Sequence, residues 1–241
     1  MQNNIYIAKK FIKTKTYLFI IALCIISGFF FFIMNGNESN IFEKYYTCIA
    51  NIWSVIGILL LTLIITNRFI SATKDNTNYI LRFKNKSDLI KNIFQIIVIL
   101  NTIILLLYYF LPFIILILSG RDLSITLIPG YPNVIVPVYL IFALLKNILI
   151  INLMNLLYCV LNLIDKRAGV IYYALLIYIA FAPLHLKINT FTIDPSNYLV
   201  GLSCSSFLLE ISYTVTYISI FYIIILLIYK LYLILKIDNV Q

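Results

Sequence analysis

The chain has 241 residues, of which 63% are hydrophobic and 11% charged, with a mean hydropathy of +1.02 and a formal charge of +9. That is more apolar surface than one soluble core of this size can hide, so a water-soluble domain is excluded and a bilayer is the implied solvent. In a soluble protein the positive charge would suggest nucleic acid or an acidic partner; here its placement along the chain carries the information, and no nucleic-acid partner is expected.

Residues 1–16 form a lysine-rich lead. At 100° per residue Ile5, Ile7, Ala8, Phe11 and Ile12 cover one half of a helix, with Lys9, Lys10 and Lys13 on the other. That pattern suits a helix lying in the headgroup plane; a basic tail that only fixes topology is the alternative. The first span, Tyr17–Met34, comes next, and its "ALCIISGFFFFIM" lacks a small-residue cleavage pattern, so it is expected to stay as an anchor. Further spans are expected at Ile49–Thr66, at Ile93–Leu118, within Val134–Ile164, at the shorter Gly169–Ala182, and at Phe207–Tyr229. At about 1.5 Å per residue the longer ones cover a hydrocarbon core of roughly 30 Å. The expected fold class is all-α: one polytopic membrane domain over residues 1–241 with six transmembrane helices and an N-terminal interfacial helix.

With the N-terminus in the cytoplasm, fourteen of the eighteen Lys and Arg fall inside and only Lys44, Arg121 and Lys187 outside, with Lys146 within a span. This is the positive-inside arrangement of a multi-pass cell-membrane protein with both termini cytoplasmic. Outer connections are 35–47, 119–133 with "IPGYPN", and 183–206, where "NYLVGL" is too apolar for a solvated loop and suggests a piece that dips into the membrane or packs on it.

The inner loop 67–92 holds eight of the 27 charged residues and is far longer than the "DKRAG" turn between the fourth and fifth spans. Tyr79, Ile80 and Phe83 fall on one side of a short helix, Arg82, Asn85 and Lys86 on another, and Ser87 with Asp88 reads as an N-cap restarting a helix. Such a surface helix suits docking of a cytoplasmic partner; charges that obey topology and touch phospholipid headgroups are the other reading.

Lys146 lies in "FALLKNILIINLMN", beside Asn147 and before Asn152 and Asn155. Lys146, Asn147 and Asn155 fall near one face, a candidate lining for a translocation route or a dimer seam; the alternative is an interfacial lysine whose span begins later than assigned. Glu210 opens the sixth span, either to meet a cationic substrate or as a solvated helix-start carboxylate. Pro112 is expected to kink the third span. Four cysteines without a CxxC and a single histidine give no metal site, although Cys48 and Cys204 are both near the outer face. None of the seven glycines begins GxxxxGK[ST], and no catalytic pairing of residue types stands out, so the chain is expected to be neither an ATPase nor another enzyme and to need no cofactor of its own.

Three segments in order, "IAKKFIKTKTY", "NYILRFKNKSDLIKN" and "APLHLKINTFTIDPSNYLVGLSCSS", give the chain a layout that resembles the membrane subunits of ABC-2-type exporters. The resemblance covers the whole chain as architecture. It implies a coupling helix in which Tyr79, Ile80, Arg82, Phe83, Lys84 and Lys86 contact a separate ATP-binding subunit, which would bind the ATP. It also implies a second copy or a paralogue completing the pathway, and export of a peptide, an antimicrobial or another amphipathic compound. The chain departs from that layout in having no clear acidic residue early in the loop, where relatives commonly carry one; Asp75 is the only candidate. Two other classes fit the composition: a substrate-capture subunit of an importer, which should carry a compact polar pocket near the outer face, and a non-transporting scaffold or sensor.

Overall fold

The structure, a computed structural model, describes residues 40–42, 44–45, 52–74, 85–118, 124–128, 131–181, 198 and 204–237, with Leu18, Ala22 and Ile26 as isolated helical positions. In chain order these give α1 (Ile52–Lys74), α2 (Lys86–Leu118), β1 (Leu127–Ile128), β2 (Tyr131–Ile135), α3 (Val136–Ile164), α4 (Lys166–Phe181) and α5 (Phe207–Ile237). The chain is mostly helical. Among the described residues three helices are long and apolar enough to cross a membrane, within Ser87–Phe110, Val136–Ile164 and Phe207–Tyr232. They correspond to the third, fourth and sixth expected spans. The second and fifth are the helices α1, whose apolar part is the shorter Gly57–Thr73, and α4, with 16 residues. The first span, apart from its three helical positions, lies outside the described residues, as does the N-terminal lead.

Two expectations need correction. The all-α reading lacks the hairpin: β1 and β2 pair antiparallel, with Leu127 opposite Ile135 and Ile128 opposite Tyr131. Pro132 has no N–H to give a helix, and the β-branched Val134 and Ile135 favour extended backbone, so this connection closes as a ribbon. The inner loop is also shorter than 67–92. α1 continues to Lys74 because Phe69 and Ile70, at 1% and 2% exposure, are still packed against the bundle, and α2 already begins at Lys86. The helix restart itself is where it was expected, with Asp88 in the first turn near the positive end of the helix dipole. Ser87 is not its cap, however: the Leu89 N–H bonds the Asn85 carbonyl at 3.3 Å, and the Ser87 hydroxyl meets the Tyr229 hydroxyl at 3.0 Å.

Local chemistry sets the other helix ends. The Val136 N–H, orphaned at the start of α3, bonds the Thr126 carbonyl of the hairpin at 2.9 Å, and Pro137 in the first turn lacks a donor to leave unpaired. Asp165 ends α3 with its N–H on the Leu161 carbonyl at 2.8 Å and then caps α4, its carboxylate accepting the Arg167 N–H at 3.0 Å. One residue therefore serves both ends of the α3–α4 turn. α2 runs through Pro112 as one helix of 33 residues.

Helix α3 is the hub. It packs against α4, α5, α2 and α1, which surround it, and it buries the largest share of its span while α5 buries the smallest. Its remaining outer stripe, Ile141, Leu145 and Leu149 at i, i+4 and i+8, is more than half exposed and apolar, the face of a helix meant for lipid rather than water. The tightest approach is at Gly169 of α4, where an added Cβ would sit 3.2 Å from both the Asn162 Cβ and the Tyr158 ring. Gly169→Ala gains helix propensity of about 1 kcal/mol against this crowding, but Gly169→Val adds two methyl groups with nowhere to go. We predict that the valine variant loses about 1–3 kcal/mol, read as a lower unfolding temperature in detergent, while the alanine variant stays close to the parent.

Candidate functional site

At the hairpin end of the bundle a carboxylate and an ammonium are enclosed together. Ser206 caps α5, its hydroxyl accepting the Leu209 N–H at 3.3 Å, and so fixes the first turn in which Glu210 points inward at 0% exposure. Lys146, three turns into α3 and 3% exposed, reaches the same level, with its Nζ 2.9 Å from Glu210 Oε1. The hairpin supplies Tyr131, whose hydroxyl donates to Oε2 at 2.8 Å, and α3 supplies Tyr139, whose hydroxyl lies 3.1 and 3.2 Å from the two carboxylate oxygens. Three donors therefore answer the carboxylate, the Tyr139 hydroxyl shared between its two oxygens.

Rings close the site. Tyr131, Tyr139, Phe142 and Phe207 contact one another with centroids between 5.2 and 6.0 Å apart, and the Lys146 ammonium stands 5.2 Å from the Phe142 ring and 6.0 Å from that of Tyr139. The negative ring faces complement a cation where water is excluded. Burial, reinforced by the Glu210 charge, pushes the Tyr131 phenol well above its usual range, so it remains a donor. Burial and then Glu210 also push up the Cys204 thiol, against a smaller opposing pull from Lys146. Cys204 is free and buried.

The sequence reading of these residues is partly overturned. Glu210 is not a solvated helix-start carboxylate, because α5 turns it toward α3 and the hairpin covers it. Lys146 is not an interfacial lysine of a late-starting span: α3 begins at Val136, and the ammonium is held inside by Glu210.

Asn147 and Asn155 are fully buried, but each answers a different neighbour, so with Lys146 they form no continuous lining. Asn147 Nδ2 donates to the Tyr109 hydroxyl of α2 at 3.2 Å. Asn155 joins three helices: its Nδ2 donates to Thr62 of α1 at 3.0 Å, and its Oδ1 accepts Thr66 of α1 at 3.3 Å and Tyr173 of α4 at 2.8 Å. Asn101 of α2 donates to the same Thr66 at 3.2 Å, bringing a fourth helix to the knot. Asn152 binds Thr102 at 3.1 Å, and Asn162 binds Tyr158, whose hydroxyl reaches Asn67. Polar side chains on α3 are interhelical ties.

Of the expected coupling residues, Tyr79, Ile80, Arg82, Phe83 and Lys84 lie outside the described residues, and Lys86 is the first residue of α2. Among the described residues no group of three metal-binding side chains is found. Tyr198, from the apolar "NYLVGL" stretch, is fully buried and stacks on Tyr217 of α5 with centroids 4.2 Å apart. Sequence reasoning missed Tyr131, Tyr139, Phe142 and Phe207. The spacing of Tyr139, Phe142 and Lys146 at i, i+3 and i+7 was a legible signal of one face; the approach of Tyr131 across 79 residues had none.

Comparison with known proteins gives no relatives: no family model matches the chain, and no curated protein or solved structure matches it.

Removing one partner of an enclosed ion pair leaves a buried charge. Lys146→Met is expected to cost about 3–5 kcal/mol, and the double variant Lys146→Met/Glu210→Gln to recover most of it, both measured by thermal unfolding in detergent. Asn155→Leu should cost only about 1 kcal/mol, because the freed Thr62 hydroxyl already lies 3.0 Å from the Ile58 carbonyl of its own helix.

Proposed function

We propose that the chain is the permease subunit of an ATP-driven transporter of ABC-2 type, embedded in the cell membrane with both termini cytoplasmic. It works with a separate ATP-binding subunit and with a second copy or a paralogue, and exports a peptide, an antimicrobial or another amphipathic compound. The direction and the partner rest on the resemblance in layout.

One observation carries the reading: α1 ends at Lys74 and α2 begins at Lys86, so the basic sequence 75–85 joins two helices of the bundle directly. Arg68, Lys91, Lys166, Arg167 and Lys230 are exposed, while at the hairpin end Lys44 and Lys146 are buried. The Tyr229 hydroxyl bond to Ser87 and its ring contact with Phe94, at 5.7 Å, bring the end of α5 beside the start of α2, so a displacement at the start of α2 would reach two membrane-length helices. A cationic, helix-braced end supports docking of a soluble motor, and the position of Tyr79, Ile80, Arg82, Phe83, Lys84 and Lys86 in or beside that connection fits a coupling role. At the other end Lys146, Glu210, Tyr131 and Tyr139 bond one another and are buried, which favours a closed site over the open polar pocket of a capture subunit.

Phe83→Asp and Arg82→Glu are each expected to abolish co-purification with an ATP-binding subunit from the native host while membrane insertion persists. Retained co-purification in both variants removes the coupling role from this connection.

A further inference from the structure

The two halves of the ion pair are held differently. The Glu210 carboxylate is anchored by the Tyr131 and Tyr139 hydroxyls, from β2 and α3, independently of Lys146. The ammonium sits at the tip of a four-carbon rotatable stem and donates to Glu210 Oε1, while its other side faces the Phe142 and Tyr139 rings. The anionic, aromatic half is built into the fold; the cationic half is the movable one. A fixed carboxylate inside a box of rings is the chemistry that recognises organic cations.

We infer that Glu210 with the rings of Tyr131, Tyr139, Phe142 and Phe207 is a binding site for amphipathic organic cations, in which Lys146 is a tethered occupant that an incoming ammonium group displaces. The inference deepens the transporter reading by naming the substrate class, and it rests on that reading only for the transport step after binding. The tether decides which cations succeed. A group held on the same chain competes at an effective concentration of the order of millimolar, so a small inorganic ion offering charge alone loses to Lys146. A cation that also buries apolar surface against Phe142 and Phe207 gains the difference. Entry requires the hairpin to move, because Tyr131 and Tyr139 are 7% and 3% exposed.

The test is equilibrium binding to the full chain in nanodiscs, without nucleotide or a second subunit, so that it can fail while the motor-docking reading stands, and the reverse. The probes are benzyltrimethylammonium and its uncharged carbon isostere neopentylbenzene, which separates charge from partition into lipid. The parent should bind the cation in preference to the isostere. Lys146→Met, which removes the competitor, should bind the cation at least about tenfold tighter. Glu210→Gln should lose at least about tenfold, and Phe142→Leu, which keeps the ion pair, should lose several-fold.

If Lys146→Met does not fold alone, its unfolding temperature should be restored by benzyltrimethylammonium and not by neopentylbenzene. Binding unchanged by Glu210→Gln, no tightening in a folded Lys146→Met, or no restoration of an unfolded one each overturns the inference and leaves the pair as a structural clamp.

Discussion

A carboxylate shut away from water has to be answered by protein donors, and at Glu210 that requirement organises the hairpin end of the bundle. Lys146 and Tyr139 come from α3, Tyr131 from β2, and the carboxylate from the first turn of α5. An unanswered charge in apolar surroundings would be far costlier than any one packing contact, so the three elements are held in mutual register by chemistry that tolerates little displacement. The hairpin, which buries little apolar surface, is tied to this site by Tyr131. Asn40 reinforces it from the other side, its amide donating to the Ser124 carbonyl and hydroxyl at 2.7 and 2.9 Å.

The same constraint recurs along α3 in milder form. Apolar surface alone gives helices in lipid no directional reason to pair, since neighbouring acyl chains are equally apolar. Asn147, Asn152, Asn155 and Asn162 supply direction, each reaching a hydroxyl on a surrounding helix or, through Tyr158, an amide. Together with the short Asp165 turn and the close approach at Gly169, these ties explain why α3 sits in the middle while the more uniformly apolar α5 lies at the edge.

The bundle therefore has two unlike ends. At one, charge and aromatic rings are internal and locked under a hairpin. At the other, Arg68, Lys91, Lys166, Arg167 and Lys230 are exposed. At this second end α2 and α5 are braced together by Ser87 and Tyr229.

Composition and periodicity by themselves determined the helical, membrane-compatible character of the chain and which stretches form α1 to α5, while missing the ends of α1, α2 and α5 by about two turns. These are properties of short windows, where the free energy of leaving water scales with local apolar area. The same windows singled out Lys146, Asn147, Asn155 and Glu210, because ionisable and amide groups in apolar runs stand out whatever surrounds them. Tertiary structure alone decided that Lys146 and Glu210 answer one another across 64 residues, that Tyr131 arrives on a ribbon instead of a loop, and that Asn147 and Asn155 serve different neighbours. Which donor meets a buried acceptor depends on helix rotation and depth, and these are set by the simultaneous packing of all the helices rather than by any single window.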